Sequence, residues 1–569
     1  MGRLFCEHKI REIQSLDGAW NFRTDPQNIG EANRFFDSFG ECRTAIVPSV
    51  WNTTEGLLTY EGVAWYSRSF YTRGGTLRFC FDAVMTEARV WLDGEYIGSH
   101  YGGFCAFDIL VRNVSEGDHT LTVRVDNGFN AQSIPQAKVD WYHYGGITRS
   151  VRVERLCGIS ILSERLEYGL SADLKVADCR IVAELYNADD EARCACIEAY
   201  LDYAAVSSLD VSLKGGETRS IELPAFSLES PRIWNEGAPE LYRLCLKCDG
   251  DDLYDRVGFR RVEARDNKIF LNGKEIEIRG VNRHEEHPEF GFAFPPSLMG
   301  RDIDLALEMG CNALRGSHYP NAREFLDMLD ERGILFWSEI PIWGCGFSTE
   351  ALADPVVVAR GLDMHREMVK NYYNHPAIVI WGMHNEINTD TEAALAMTKL
   401  YYSFLKENGG NRIVTYASHM PLKDICLEYC DMISLNMYFG WYYGYEEDAW
   451  EKFLETFTRL ADEKGVGDKP IAMSEFGCAA VYGCHDDENI LWSEENQAKQ
   501  IGHCLEVFHA HERVVGSFIW QFCDIRTCLQ AGLNRARGFN NKGLLNEHRK
   551  PKLAYREAKR LYNGFKEEQ

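Results

Sequence analysis

The chain has no run of 18 or more apolar residues, so nothing in it reads as a membrane-spanning helix. It has no surplus of basic residues either. Lysine and arginine number 61 against 86 acidic residues, a formal net charge of -25 at pH 7. A surface of that sign opposes binding to nucleic acid or to an anionic membrane. An anionic small substrate would need a local positive partner. The opening MGRLFCEHKIREIQ lacks the apolar core and small-residue cleavage site of a secretory leader, so the expected setting is cytoplasmic. The 19 cysteines lack a framework spacing. Their one Cys-x-x-Cys, Cys245 and Cys248, lies in LYRLCLKCDG, which reads as a strand. They suit small buried thiols in a reducing compartment. A Gly-rich dinucleotide loop is also missing.

What is present is a 569-residue globular composition, 45% hydrophobic and 12% aromatic, long enough for several domains. Residues 1–157 are rich in short strands: SLDGAWNF, VAWYSRSFY, TLRFCFDAV, ARVWLDGEYIG and HTLTVRVDN. Gly, Asp and Asn separate them, and Asp93-Gly94 is a hairpin signal. This predicts a jelly-roll β-sandwich. It ends in a polar-aromatic cluster, Asp140 to Tyr144, which suits either a loop reaching toward a sugar or a domain interface. Residues 158–264 repeat the strand pattern with fewer aromatics and predict an immunoglobulin-like β-sandwich.

From 265 to 569 strand and helix alternate. Apolar segments at 276–281, 313–317, 335–339, 378–385, 414–417, 432–436, 471–475 and 516–521 predict a (β/α)8 TIM barrel. Chemistry in that fold sits where the strands end. The predicted ends carry Asn282 to His284, Ser317 to Tyr319, Glu339, Asn385 and Glu386, Asn436 with Tyr438 and Tyr442, Glu475, and Trp520 with Gln521. Glu386 alone could cap the following helix. With Glu475 across the mouth it becomes half of a carboxylate pair, the apparatus of glycoside hydrolysis. The run Arg283-His284-Glu285-Glu286-His287 is not H-E-x-x-H, and Pro288 disfavours a helix through it, so no metal is expected.

Two stretches, NALRGSHYP at 312–320 and NHPAIVIWGMHNE at 374–386, resemble the signatures of glycoside hydrolase family 2. The likeness spans the whole chain, from SLDGAWNF onward. It implies that Glu386 is the acid/base and Glu475, in AMSEFG, the nucleophile of a retaining mechanism, with Asn385 on the sugar 2-hydroxyl. Within the family the resemblance is closer to the β-glucuronidases, including gut bacterial ones. RARGFNNKG at 535–543 carries their Asn-x-Lys motif as Asn540 and Lys542, which implies a clamp on a C6 carboxylate. Residue by residue, Asp140 and His318 match positions that hold the sugar hydroxyls. Tyr442 matches the tyrosine near the carboxylate, Tyr438 one near the nucleophile, and Trp520 the platform at strand eight. The chain departs from the pattern at Ala536, where an arginine is usual; Arg535 and Arg537 flank it. The connection at 340–355 is short, which predicts an open aglycone site. The resemblance implies no cofactor for catalysis, leaves room for a non-catalytic flavin (FMN), and predicts a homodimer or homotetramer acting on a small or oligomeric glucuronide. Lys542 could instead be a counter-ion for Glu475. Rival readings are a galacturonidase, galactosidase or mannosidase of the same family, or a carbohydrate-binding protein on an inactive barrel.

Overall fold

The structure, a computed structural model, describes residues 2–248, 250–344, 347–444, 446–532 and 535–568. Two antiparallel sheets open the fold. One has four strands in the order Glu12–Ser15, Val151–Leu156, Gly75–Phe81, Phe107–Val114. The other has six, running from Arg43–Val47 at one edge to Glu95–Tyr101 at the other. Their alternating apolar residues meet in a core containing Trp20, Phe22, Phe79, Phe81, Val90 and Val123. The Asp-Gly turn forms as its sequence predicts: Leu92 pairs with Glu95, and Asp93 and Gly94 take φ of 50° and 85°.

A second sandwich follows, with Ile159–Leu170 and Val176–Asn187 in one sheet and Arg193–Leu201 and Tyr242–Cys248 in the other. Cys245 and Cys248 lie buried on that last strand.

Eight parallel strands then close a barrel: Ile278–Asn282, Ala313–Gly316, Leu335–Glu339, Ile378–Asn385, Ile413–Ser418, Ile433–Asn436, Ile471–Phe476 and Val514–Ile519. Closure pairs the first strand with the eighth, Ile278 opposite Gly516. A Cβ at Gly516 would lie 2.1 Å from the Ile278 carbonyl oxygen, so only glycine permits this seam. All eight strands are buried on both faces, which explains their continuous apolar runs.

Strand boundaries differ from the sequence expectation by up to two residues, most at the first and eighth strands. The first strand begins at Ile278, because the Ile276 amide is bonded to Ile269 in a small three-stranded sheet spanning Val262–Arg265, Lys268–Leu271 and Lys274–Glu275. Val262, Ile269 and Leu271 of that sheet belong to the barrel core and cover its N-terminal end. The eighth strand runs from Val514 to Ile519, so Trp520 and Gln521 sit beyond it in the mouth.

The N-terminal segment threads all three parts. Arg3 pairs with Asp255 of the second sandwich at 2.7 Å and with Asp327 of the barrel at 2.8 Å. Arg11 pairs with Glu154 and Asp251.

Candidate active site

The fourth barrel strand delivers Asn385 at its last position and Glu386 just after it. Glu386 adopts a left-handed backbone, φ 53°, where the chain turns out of the strand. It caps no helix: the next one, Glu392–Asn408, takes its side-chain cap from Thr391. The Glu386 Oε1 instead accepts a hydrogen bond from Asn436 Nδ2 at 2.9 Å. Asn436 ends the sixth strand, and its own Oδ1 accepts from the Ser474 hydroxyl at 2.7 Å.

Glu475, on the seventh strand, is 3% exposed. Arg315 Nη1 donates to its Oε1 at 2.9 Å and the Tyr438 hydroxyl donates to its Oε2 at 2.7 Å. Arg315 projects from the second strand into the barrel centre and spends every guanidinium nitrogen. It grips Glu339 with two hydrogen bonds of 3.0 Å, and reaches Asn282 Oδ1 at 3.1 Å and Asn385 Oδ1 at 2.7 Å. One cation thus fixes the nucleophile candidate, the carboxylate of strand three and the amide beside Glu386. The Asn385 Oδ1 is committed to Arg315 and Asn436, while its Nδ2 is buried without a partner.

Burial raises both carboxyls, Glu386 to about 7 and Glu475 to about 8. After burial, the largest influence on Glu475 is the charge of Glu386. When Glu386 holds its proton that repulsion vanishes, and the Arg315 cation and Tyr438 hydroxyl favour the Glu475 carboxylate. Among the described residues Glu386 accepts a side-chain hydrogen bond only from the neutral amide of Asn436; Arg315 and Lys542 act on it by charge alone, and Asp140 opposes them. The surroundings therefore suit one shared proton resting on Glu386.

His318 follows the second strand, fully buried. Its Nδ1 meets Glu339 Oε1 at 2.6 Å, its ring stacks on Trp520 at 5.1 Å between centroids, and its Nε2 has no partner. Burial and Arg315 hold it well below the ordinary histidine range, hence neutral.

The opposite wall carries the positive charge. Lys542 is 1% exposed, and its Nζ donates to the Tyr442 hydroxyl at 2.6 Å. Its Nζ also lies 5.4 Å from the Tyr438 ring and 5.6 Å from that of Trp441. Among the described residues it makes no salt bridge with a carboxylate. Arg315, not Lys542, is the counter-ion of Glu475. Asn540, two residues earlier, accepts from the Lys542 amide and donates to Asp140 Oδ2 at 3.3 Å. Asp140 Oδ1 accepts from Arg535 at 2.8 Å, whereas Arg537 turns away to Glu547. Every site residue expected from the sequence therefore lies in this one mouth or its wall.

The aromatic cluster after Asp140 is mainly an interface. Tyr142 donates to the Leu58 carbonyl, His143 bonds Ala137, and Tyr144 donates to Glu286. With Phe104, Phe292 and Tyr319, Tyr142 and Tyr144 form a small core between sandwich and barrel. Only Asp140 and Trp141 reach the site; the Trp141 ring lies 5.6 Å from that of His318. The His284–His287 run is likewise dispersed. His284 meets the Tyr319 hydroxyl, Glu285 pairs with Arg149, and Glu286 accepts from Tyr144.

Sequence reasoning missed Arg315 as a site residue, named Trp141 only within the polar-aromatic cluster, and treated Glu339 and Asn436 only as strand ends. Arg315 had a signal: an arginine inside an apolar strand, in the signature stretch itself. In the short connection after Glu339, Cys345 and Gly346 lie outside the described residues; Trp343 bridges to Asn385, and a short helix, Thr349–Ala353, follows.

Two family descriptions match this chain. The TIM barrel domain of glycosyl hydrolases family 2 covers residues 262–567, and the sugar binding domain of the same family covers 13–156. The chain belongs to glycosyl hydrolases family 2. It is therefore a glycoside hydrolase with the multidomain architecture of that family. It is similar to a family 2 β-galacturonidase from Eisenbergiella tayi, solved bound to galacturonate: 33% identical, 99% of both chains, TM-score 0.92. It is also similar to a β-glucuronidase from Ruminococcus gnavus in complex with D-glucaro 1,5-lactone, 25% identical over 99% of both chains, TM-score 0.88. A β-glucuronidase of Bacteroides fragilis is 29% identical over 95% of this chain and 80% of its own. Among the described residues no helix is long and apolar enough to cross a membrane.

Proposed function

We propose that this enzyme is a retaining β-uronidase that hydrolyses β-D-glucuronides. The observation that carries the reading is Lys542: a buried ammonium, aimed into a mouth containing two glutamates, with a tyrosine hydroxyl as its hydrogen-bond partner. Burying a cation without a counter-charge is costly, so the position favours a ligand that brings a carboxylate. Asn540 offers the second contact. Asp140 and His318 hold ring hydroxyls, Trp520 provides the apolar platform, and Tyr442 steadies Lys542.

In this reading ionised Glu475 attacks the anomeric carbon while Glu386 gives its proton to the departing glycosidic oxygen. The C–O bond breaks as the Glu475 ester forms. Glu386, now a carboxylate, then takes a proton from water, whose oxygen attacks the anomeric carbon and releases Glu475. Asn385 Nδ2 donates to the sugar 2-hydroxyl, a contact that strengthens as positive charge develops on the ring. No step draws on a cofactor; a flavin would have to bind elsewhere. The polypeptide divides near 157 and 264, the protein works as a homo-oligomer, and its described cysteines, all free thiols, suit the cytoplasm.

A second reading has its own support. The Eisenbergiella tayi relative is a galacturonidase, and a galacturonide places the same carboxylate on the same clamp, differing only at C4. Rates on 4-nitrophenyl β-D-glucuronide, galacturonide and galactoside decide the matter. A glucuronide rate well above the other two supports the first reading, a galacturonide preference the second, and galactoside preference refutes both.

A further inference from the structure

We propose that Glu339 is a positioning residue that keeps the proton of His318 on Nδ1, so that Nε2 offers a lone pair to one hydroxyl of the bound sugar. The inference rests on the uronidase reading of the site. Glu339 ends the third barrel strand and is fully buried. Its Oε2 accepts from Arg315 Nε, and its Oε1 accepts from Arg315 Nη2, each at 3.0 Å. Burial raises the Glu339 carboxyl above its ordinary value, and the bidentate guanidinium opposes that and favours the carboxylate. Arg315 Nη2 also lies 3.4 Å from His318 Nδ1, but the 2.6 Å contact to Glu339 Oε1 is much the shorter, and an ionised carboxylate only accepts, which puts the proton on Nδ1. In a neutral imidazole the other nitrogen is then an acceptor.

That nitrogen faces the mouth. His318 Nε2 is buried, has no partner, and lies 3.7 Å from Glu475 Oε1. Stacking on Trp520 and proximity to Trp141 fix the ring plane. Two acceptors, Nε2 and Oε1, thus flank one space, which suits a hydroxyl that gives its proton to Nε2. The buried Asn385 Nδ2 supplies a donor nearby, itself held by Arg315. Glu339 touches no sugar. It acts through His318, and through Arg315 it is tied to Glu475.

The test has two arms. Wild-type protein labelled with 15N-histidine, with the His318 signal assigned by its loss in His318→Gln, should show the Nδ1–H tautomer. The second arm compares wild type with Glu339→Gln on the parent 4-nitrophenyl uronide and its monodeoxy analogues. The glutamine amide would donate to Nδ1 and move the proton to Nε2. Loss of kcat/KM on the order of tenfold to a hundredfold is expected on the parent. The penalty should shrink on the one analogue lacking the hydroxyl that faces Nε2, and Glu339→Asp, which keeps an acceptor, should recover part of the rate. An Nε2–H tautomer in the wild type, or an equal penalty on every analogue, would overturn the proposal. The wild-type spectrum decides alone if Glu339→Gln fails to fold. Absence of uronidase activity in the wild type would sink the functional reading and leave the tautomer result standing.

Discussion

Lys542 Nζ donates to the Tyr442 hydroxyl at 2.6 Å, and that tyrosine, 55% exposed, is the only side chain holding the ammonium in place by a hydrogen bond among the described residues. The pair makes the sharpest prediction about substrate charge. Lys542→Ala removes a charge-assisted contact to a uronate, worth roughly 1.5–3 kcal/mol, or about 10- to 150-fold in kcat/KM. On a neutral β-galactoside the same change should cost little. Parallel kinetics on the two substrates check this, and an equal loss on both would remove the carboxylate clamp from the account.

The pH profile follows from Glu386. Burial raises it to about 7, and the Asp140 charge pushes in the same direction, against the Asn436 hydrogen bond. A general acid works only while protonated, so kcat/KM should fall as pH rises through that value. Asp140→Asn removes a negative neighbour and makes ionisation of Glu386 easier. Its alkaline limb should therefore move to lower pH, whatever happens to the amplitude. A limb that stays put or moves up would show that another group carries the proton.

Much of this site could be read from local patterns. WGMHNE announces itself because an apolar run halts at a carboxylate, and Lys542 because a cation follows Asn540 in a loop of a very acidic chain. Arg315 could not be placed in the same way. Its meaning depends on Glu475, 160 residues later, and on Glu339 and Asn385, which meet it only when the barrel closes. Tyr142 and Tyr144 stayed ambiguous for the opposite reason: polar-aromatic residues look alike in a sugar cleft and a domain seam, and only their barrel contacts, Arg526 over the Tyr142 ring and Glu286 on the Tyr144 hydroxyl, tell which. The eight-strand count was visible, but not the small sheet beneath it, since Ile269 and Leu271 resemble one more strand of the preceding sandwich.

Arg3 should matter to stability far more than its place near the chain start suggests. It is buried between Asp255 and Asp327, and the other guanidinium beside Asp327 among the described residues, that of Arg256, is 3.4 Å away. Arg3→Ala leaves two buried carboxylates short of their cation, a loss of about 3–5 kcal/mol. Arg34→Ala, which breaks an exposed pair with Asp37, should change stability by less than about 1 kcal/mol. Denaturant melts of the two variants give the comparison; similar midpoints would mean the N-terminal strap adds nothing.

The connection at 340–355 bears on the aglycone. If its brevity leaves the mouth open, an oligosaccharide ending in glucuronate should be cleaved with kcat/KM similar to that of 4-nitrophenyl glucuronide. A strong preference for the small chromogenic aglycone would refute the open-site expectation.

Arg535 and Arg537 flank Ala536, and the structure separates them. Arg535 joins Asp140 at 2.8 Å, and Asp140 in turn joins Asn540, so its guanidinium belongs to the clamp wall. Arg537 joins Glu547, half exposed and outside it. Arg535 is already paired, so its contribution to a uronate is a shared one. Arg535→Ala would weaken both the positive wall and the seating of Asp140, raising KM for the uronide by roughly tenfold. Arg537→Ala should leave KM within about twofold, since its partner Glu547 is not part of the clamp. Asp140 freed from Arg535 would also turn its charge more fully on Glu386, so the alkaline limb of Arg535→Ala should shift upward, opposite to Asp140→Asn. A KM rise in Arg537→Ala with none in Arg535→Ala would reverse the assignment of the two arginines.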